Sequence, residues 1–169
     1  GDWSSDVCSS DLTYVPESEE SRLAGAGAGT NDNDYYKTES RAPMDITMTL
    51  DQVYDLALNT LKDAGATETN AASVAKSTWR AERDGIRSHG LMYVPIYAEH
   101  VRCGKVVGDA QPVVSQPKPG VVSVDAKNGF AHPAIDAGWK AFTDAARQNG
   151  VAVLTLHNSY NCGILGHHA

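Results

Sequence analysis

Apolar residues recur at helical spacing in two stretches that follow residue 48. The first stretch has Thr49 as a candidate N-cap and Gly65 as a stop signal. The second opens at Thr67 or Thr69 and ends at Gly85. The apolar faces consist of Leu50, Val53, Tyr54, Ala57 and Leu61 in the first stretch and of Ala72, Val74, Ala75 and Trp79 in the second. The pattern therefore predicts two consecutive amphipathic helices.

A third helix is predicted from near Ser88 to Gly104. Its apolar positions are Leu91, Val94, Ile96, Tyr97 and Val101. Pro95 is compatible with this helix only in its first turns, because a proline in a helix interior costs about 3 kcal/mol. The chain up to about residue 106 is thus expected to be mainly helical.

β-branched residues become frequent after that point. Two short runs, 113–115 and 121–124, are punctuated by proline and glycine and predict strands. A helix is predicted next, ending at Gly150. Its inward face consists of Ile135, Trp139, Phe142 and Ala146. The run VAVLTL at 151–156 is almost continuously apolar, which is typical of a strand buried on both faces. The order of these elements predicts an α/β fold.

The segment HNSYNCGILGHHA leaves strand 151–156 through Asn158 and Ser159 and is predicted to begin another helix. A buried strand and a helix start need neighbours to cover them, and a sheet of three short strands cannot provide enough cover. We therefore expect the chain to be the N-terminal portion of a larger enzyme and its fold to be incomplete.

The acidic residues are concentrated near the N-terminus. The chain has a formal net charge of -7, but residues 1–43 contain nine of the 21 acidic and only three of the 14 basic residues. The remainder is close to neutral, so we expect neither nucleic acid nor an anionic membrane surface as a partner. No apolar run reaches the roughly 18 residues of a membrane span. Cys8, Cys103 and Cys162 show no disulfide-type or metal-type spacing, which favours a reduced, cytoplasmic setting.

Changes in composition divide the chain into three segments. Residues 1–43 are acidic, rich in glycine and alanine and without amphipathic pattern, so we expect them to be disordered or artefactual. Within them, residues 2–12 correspond to one reading frame of a common sequencing-library adapter, a hypothesis that the underlying nucleotides would check. Residues 44–106 are predicted to form a helical N-terminal segment, and residues 107–169 the beginning of an α/β cofactor-binding domain.

The triplet Ser88-His89-Gly90 lies between two predicted helices and has two interpretations. In the structural one, Ser88 caps the following helix and a backbone hydrogen bond holds His89. In the functional one, His89 exchanges a proton with a carbonyl substrate, because histidine titrates near neutrality, and Ser88 orients it. Gly90 would leave room for a ligand beside the backbone. The charged residues around the preceding turn are expected to be a solvated helix end rather than a binding site: Arg83, Asp84 and Arg87.

The exit from the last predicted strand is a second candidate site. Ligands gather at the carboxyl ends of strands in α/β folds, and a following helix start presents free N–H groups. Gly163 and Gly166 are present there, but the spacing G-x-G-x-x-G of the Rossmann motif is not. Cys162, His167 and His168 could be considered as metal ligands. Adjacent histidines point apart on a helix and no acidic residue is close in sequence, so no metal site is predicted.

Three consecutive motifs resemble one known family. They are AERDGIRSHGLMYVPIYAEHVRCGKV, VVSVDAKNGFAHPAIDAGWKAF and GVAVLTLHNSYNCGILGHHA, and the similarity covers residues 46–169. They resemble the malate/L-lactate dehydrogenase family of NAD(P)H-dependent oxidoreductases, which is distinct from the Rossmann-type lactate and malate dehydrogenases. The resemblance implies a mixed-sheet, non-Rossmann nicotinamide-binding domain, NAD or NADP as cofactor, a small 2-oxo or 2-hydroxy acid as substrate, and a homodimer.

The resemblance also implies roles for individual residues. His89 matches the general acid that protonates the substrate oxygen or nitrogen, and Ser88 matches a neighbour that joins it in a relay completed by an aspartate beyond residue 169. The first cofactor-contacting stretch matches Asn161, Cys162, Gly163, Ile164 and Leu165. Two positions depart from the pattern. Tyr93 stands where many members have an arginine that pairs with a substrate carboxylate, and Asn161 stands where many have histidine.

Three functional hypotheses follow. The first is an oxidoreductase that transfers hydride between NAD(P)H and a 2-oxo acid or a cyclic 2-imino acid. Its reverse reaction would use 2-hydroxy acids such as malate, lactate, sulfolactate or ureidoglycolate. The second is a non-catalytic nicotinamide-binding or assembly protein of the same fold, suggested by Tyr93 and Asn161. The third is a small helical interaction domain. The 169-residue chain alone is expected to be inactive under each of them.

Overall fold

The structure is a computed structural model and describes residues 46–168. Within that range the helices are α1 (Leu50–Asp63), α2 (Glu68–Arg83), α3 (Val94–Arg102) and α4 (Ala131–Asn149), and the strands are β1 (Val113–Lys118), β2 (Val121–Asp125) and β3 (Val153–His157). Short 3-10 turns occur at Arg87–His89, Leu91–Tyr93 and Leu165–His168. The predicted α/β class is confirmed. The segment predicted to be disordered or artefactual, 1–43, lies outside the described residues.

Local signals at the helix ends explain where α1 and α2 begin. The Thr49 hydroxyl accepts the N–H of Gln52 at 3.2 Å, and the Gln52 side chain accepts the N–H of Thr49 at 2.9 Å, which is a complete capping box. Gly65 follows α1 with a φ of 110°, as expected for a stop signal. Of the two threonines predicted to open α2, Thr67 does so, since its hydroxyl accepts the N–H of Asn70.

The first three helices pack around one apolar cluster. Its buried members are Leu61, Ala66, Ala71, Val74, Tyr97, Val101, Val106 and Phe130. The inward face predicted for α1 is largely confirmed, since Val53, Ala57 and Leu61 are buried. The cluster also adjoins a satisfied polar group. The buried Asn70 amide donates hydrogen bonds to the carbonyl oxygens of Gly108 and Ala110, at 2.8 and 2.9 Å, and so ties α2 to the segment before β1.

The chain leaves α2 through a Schellman motif. Gly85 has a φ of 73°, and its N–H donates to the carbonyl oxygen of Glu82 at 3.1 Å. The next N–H, that of Ile86, donates to the carbonyl oxygen of Ala81 at 2.8 Å. This pair of bonds satisfies two carbonyl groups at the helix end and reverses the chain direction.

The third helix starts later than predicted. It begins at Val94 rather than near Ser88, and two 3-10 turns occupy the residues between. These turns are joined at Gly90, whose φ of -89° and ψ of -146° interrupt a helical path. Pro95 lies in the first turn of α3, where its missing N–H costs nothing, as the prediction required. Ile96 is 41% exposed, so its predicted place on the inward face is wrong.

The three strands form one mixed sheet in the order β1-β2-β3. Strands β1 and β2 are antiparallel, whereas β2 and β3 are parallel and are connected through α4. The helix covers one face of the sheet, where Val122 and Val124 are fully buried. Because β2 and β3 are parallel, their carboxyl ends lie at the same edge of the sheet. The mixed sheet predicted for this part of the chain is confirmed.

The inward face of α4 differs from the predicted one. Gly138, not Trp139, faces the sheet, and a Cβ on Gly138 would lie 2.7 Å from Cγ2 of Val124. Trp139 is 41% exposed and its ring packs on that of the half-buried Phe142, with centroids 5.6 Å apart. Ile135 is buried as predicted. The prediction placed the large aromatic inward, whereas the close approach of helix and sheet requires a residue without a side chain.

Strand β3 is covered on one face only. Its residues alternate between half-buried and exposed, and Val153 is 52% exposed. Leu154 and Leu156 pack against the cluster beneath α4. The predicted strand at 151–156 is observed as Val153–His157. Among the described residues α4 covers a single face of it, and cover on the second face stays a prediction.

Two observations bear on the predicted setting of the chain. Among residues 46–168, no helix is long and apolar enough to cross a lipid bilayer. Cys162 is a free, half-buried thiol. The reduced, cytoplasmic setting stays a prediction.

Candidate functional site

His89 is the half-buried last residue of the first 3-10 turn. Its Nδ1 lies 3.0 Å from Oγ of Ser88, and its backbone N–H donates to the carbonyl oxygen of Ile86 at 3.0 Å. Ser88 does not cap α3, whose N-cap is Tyr93 without any side-chain hydrogen bond. The structural interpretation of Ser88 as a helix cap is therefore wrong, and its hydroxyl orients the imidazole instead.

Tyr93 packs flat beside His89. The two rings lie within 10° of parallel, with centroids 6.5 Å apart. The Tyr93 ring also meets Tyr97 at 5.0 Å, and Tyr97 in turn meets Phe130 at 5.7 Å and Tyr160 at 6.0 Å. Tyr93 thus places an aromatic ring beside the imidazole and provides no positive charge for a substrate carboxylate.

Tyr160 links this aromatic cluster to the strand-exit segment. Its N–H donates to the carbonyl oxygen of Gly129 at 2.9 Å, and its hydroxyl lies 2.5 Å from Nδ1 of His100. Burial raises the pKa of Tyr160 to about 12. Burial also raises the pKa of Tyr97, with smaller contributions from nearby groups that include Cys162. The His89 turn and the strand-exit segment are therefore connected through one cluster of aromatic rings.

Asp125 ties together the carboxyl ends of β2 and β3. Its Oδ1 accepts the backbone N–H of Lys127 at 2.9 Å and the side-chain N–H of Asn158 at 3.0 Å, and the Lys127 ammonium lies 2.8 Å from Oδ2. Lys127 is the main reason that the pKa of Asp125 falls below its usual value. The predicted turn through Asn158 is confirmed, with a φ of 49°. Asp125 therefore fixes the place from which the strand-exit segment starts.

The predicted cofactor-contacting segment forms a tight turn. Oδ1 of Asn161 accepts the N–H of Gly163 at 2.6 Å, and Gly163 adopts a φ of 65°, which favours glycine. Cys162 and Ile164 are half-buried, whereas Leu165 is 74% exposed. The segment continues into a 3-10 turn, at the place where the sequence predicted a helix start.

Four buried histidine nitrogens beside this segment have no hydrogen-bond partner. They are Nδ1 and Nε2 of His132, Nδ1 of His167 and Nε2 of His168. His132 is only 2% exposed and lies in the first turn of α4. Its Nε2 is close to Gly163: a Cβ added to that glycine would lie 3.1 Å from it. A buried polar group without a partner costs about 1–3 kcal/mol, so these residues fit a polar ligand such as a dinucleotide.

Sequence reasoning missed His132 because nothing in its immediate neighbours marks it as functional. The available signal was its place at the start of a helix that follows β2. Its proximity to Gly163, 31 positions further along the chain, arises only when β2 and β3 pair.

His132 should make the stability of the protein depend on pH. Burial, with a smaller contribution from the nearby His168, lowers its pKa from 6.5 to about 4. The unfolded chain therefore takes up this proton at a higher pH than the folded chain. The contribution of neutral, buried His132 to the free energy of unfolding should be fully present above about pH 6.5 and be lost as the pH falls towards 4. His132→Gln should remove that part of the decline in urea denaturation measured across pH, and an unchanged decline would contradict it.

The charged end of α2 is partly tied to the rest of the fold. Nε of Arg83 lies 2.7 Å from Oδ1 of Asp84, and this guanidinium is the main cause of the lowered pKa of Asp84. Oδ2 of Asp84 also lies 3.0 Å from Nε2 of His167, while Arg80 donates to the carbonyl oxygen of His167 at 2.9 Å. The predicted solvated helix end is confirmed, since Arg83, Asp84 and Arg87 are all exposed. Asp84 in addition links α2 to the last 3-10 turn.

The geometry gives no support to a metal site at Cys162, His167 and His168. Nε2 of His167 contacts Asp84, and the ring of His168 lies near that of His132 with centroids 6.0 Å apart. Within the range 46–168, no three histidine, cysteine, aspartate or glutamate side chains come together as metal ligands.

Known proteins resemble this chain over its described part. A sequence profile for the malate/L-lactate dehydrogenase family matches residues 48–169. A Delta(1)-pyrroline-2-carboxylate reductase from Ancylobacter novellus is 38% identical over 120 residues, which is 71% of this chain and 35% of that protein. A (2R)-3-sulfolactate dehydrogenase (NADP(+)) from Chromohalobacter salexigens is 36% identical over 119 residues, 70% of this chain and 35% of that protein.

Solved structures show the same relationship. The delta1-piperideine-2-carboxylate reductase of Pseudomonas syringae pv. tomato superposes with a TM-score of 0.71 at 35% identity, covering 73% of this chain and 37% of that one. The malate dehydrogenase of Pyrococcus horikoshii OT3 shares the fold, with a TM-score of 0.68 at 23% identity, covering 73% of this chain and 36% of that one. The chain spans about a third of the length of the curated relatives it matches. On this evidence the chain belongs to the malate/L-lactate dehydrogenase family.

Proposed function

We propose that the protein, as its gene encodes it, is an oxidoreductase that transfers hydride between NADH or NADPH and a 2-oxo acid or a cyclic 2-imino acid. The reverse reaction would oxidise a 2-hydroxy acid such as malate, lactate, sulfolactate or ureidoglycolate. The observation that carries the proposal is the Ser88–His89 hydrogen bond in a chain of this family. The names of the relatives, two cyclic imino acid reductases and a sulfolactate dehydrogenase, support this substrate class.

In the proposed step, Ser88 occupies Nδ1 of His89 and leaves Nε2 to exchange the proton. When Nδ1–H donates a hydrogen bond to Oγ of Ser88, Nε2 is the nitrogen that gains or loses the proton. In the direction of reduction, the imidazolium gives its Nε2 proton to the substrate oxygen or nitrogen while the adjacent carbon accepts a hydride. The imidazole that remains is neutral and keeps its proton on Nδ1, so the bond to Ser88 is unchanged.

We propose that the segment at the exit of β3 contacts the cofactor through Asn161, Cys162, Gly163, Ile164 and Leu165. The nicotinamide dinucleotide, when bound, supplies or accepts the hydride. The positive φ of Gly163 and the unpartnered histidine nitrogens beside it support a polar ligand here. Oδ1 of Asn161 accepts the N–H of Gly163, so this side chain shapes the turn. A carboxamide does not exchange a proton with substrate near neutral pH. His89 is then the acid of the matched motifs.

Three further predictions about this protein, its oligomeric state, its location and its division into segments, each have a direct measurement. A homodimer would be checked by light scattering on the purified protein. A cytoplasmic location would be checked by cell fractionation against marker enzymes of each compartment. A division between segments 44–106 and 107–169 would be checked by limited proteolysis.

Turnover on a substrate panel tests the proposed function. We expect the purified full-length gene product to oxidise NADH or NADPH with at least one of pyruvate, oxaloacetate and Δ1-pyrroline-2-carboxylate, followed through the absorbance of the reduced nicotinamide. The second candidate, a non-catalytic nicotinamide-binding protein, is favoured by the aromatic ring of Tyr93 beside His89. Binding of the dinucleotide without turnover on the whole panel would support that alternative and contradict the first. A small helical interaction domain would bind no dinucleotide.

A further inference from the structure

We infer that Glu82 is a positioning residue for His89, an inference that rests on the proposed function. Glu82 lies in the last turn of α2, and its Oε1 accepts the backbone N–H of Leu91 at 2.7 Å. Leu91 opens the second 3-10 turn, immediately after His89 and Gly90. The carboxylate therefore reaches across nine positions of the chain to the residue that follows the Ser-His-Gly triplet.

Glu82 closes the loop that contains His89 at both of its ends. Its backbone carbonyl accepts the N–H of Gly85 at 3.1 Å, where the chain leaves α2. Its side chain accepts the N–H of Leu91, where the chain enters the second turn. Since one residue bonds to the start and to the end of this short loop, the position of the imidazole between them depends on it.

Gly90 makes this contact possible. A Cβ on Gly90 would lie 2.5 Å from Cδ of Glu82 and would collide with its Oε1. The φ of Gly90, -89°, is open to any residue, so the need for glycine comes from the carboxylate and not from the backbone conformation. The Glu82 side chain occupies the space that a Cβ of residue 90 would take. The expectation that Gly90 leaves room for a ligand beside the backbone stays a prediction.

Two substitutions of Glu82 separate positioning from charge. Glu82→Ala removes the acceptor, and a displacement of about 1 Å at a reacting group can cost on the order of 10²-fold in rate. We expect kcat to fall by roughly 10- to 100-fold while KM for the nicotinamide stays near its original value. Glu82→Gln keeps an acceptor oxygen of the same reach and should recover most of the lost turnover. Equal losses in both variants would overturn the inference.

A double substitution tests the steric part of the inference. Gly90→Ala should displace the carboxylate from Leu91 and so produce a loss similar to that of Glu82→Ala. If both act through one contact, the double variant Glu82→Ala/Gly90→Ala should lose no more than Glu82→Ala alone. Losses that multiply in the double variant would mean that the two positions act separately, which overturns the inference.

Measurements without turnover keep this inference distinct from the proposed function. Glu82→Ala should accelerate hydrogen exchange at the Leu91 amide and shift the ring NMR signals of His89, and Glu82→Gln should reverse most of both changes. If the original protein shows no turnover, the proposed function fails and these two readouts alone decide the positioning of His89. Unchanged exchange at Leu91 overturns the inference. So does a lower melting temperature accompanied by unchanged kcat well below it, which would indicate a purely structural role.

Discussion

Replacing His89 by alanine should lower kcat by about 10²- to 10⁴-fold, the usual contribution of a general acid or base. The imidazole is half-buried, held through Nδ1 by Ser88 and bordered by the ring of Tyr93, so Nε2 remains for the substrate. The nicotinamide dinucleotide should still bind with a similar Kd, because the residues proposed to hold it are those of the segment 161–165 and not His89. Stopped-flow turnover and dinucleotide titration measure the two quantities.

Ser88→Ala provides the matched control for this prediction. It leaves the imidazole in place but removes the 3.0 Å contact that selects Nδ1, so we expect a loss smaller than that of His89→Ala. Added imidazole should restore part of the turnover of His89→Ala and none of that of Ser88→Ala. Turnover close to the original in His89→Ala would exclude His89 as the acid.

The helix boundaries that could be predicted are those set by neighbouring residues. Thr49 and Gln52 are three positions apart, and their reciprocal capping bonds follow from the sequence alone. The start of α3 could not be predicted in this way. Two 3-10 turns precede it, and in the second the Leu91 N–H bonds to the carboxylate of Glu82, a contact across nine positions that no local pattern reports.

The face of α4 shows the same limit. Helical spacing predicted the helix correctly but placed Trp139 on its inward face. The residue that contacts Val124 and Leu154 is Gly138, where a Cβ would be too close to both side chains. How close a helix approaches a sheet is a property of the packed layers and not of the helix sequence. Trp139, the next residue along the helix, is 41% exposed.

The candidate site was predictable to the extent that its partners are adjacent. Ser88 and His89 are neighbours, and the sequence alone suggested their contact. The approach of His132 to the Gly163 turn depends on the parallel pairing of β2 and β3, which no local pattern reports. The roles of Ser88 and His89 in chemistry are implied by the family resemblance and stay predictions until variants are measured.

Phe130→Ala should be the most destabilising of the substitutions considered, lowering the free energy of unfolding by about 3–5 kcal/mol, as large buried aromatics usually do. Phe130 is 1% exposed and immediately precedes α4. Its ring meets Tyr97 of α3 at 5.7 Å and Tyr160 after β3 at 6.1 Å, so it joins the helical cluster to the strand exit. A cavity at this position would loosen both sides of the candidate site.

Phe142→Ala is the control for that prediction, because Phe142 is half-buried on α4 and its ring contacts only the exposed Trp139 among the aromatic residues described. The same aromatic ring is removed in both variants, so a difference in urea denaturation reports the burial and not the residue type. We expect Phe142→Ala to cost clearly less, since the smaller loss of buried area leaves a smaller cavity. Equal losses would mean that Phe130 does not connect the two parts of the core. A larger loss for Phe130→Ala, accompanied by faster hydrogen exchange at Tyr160, would show that the strand exit depends on this ring, since the Tyr160 N–H bonds to Gly129 beside it.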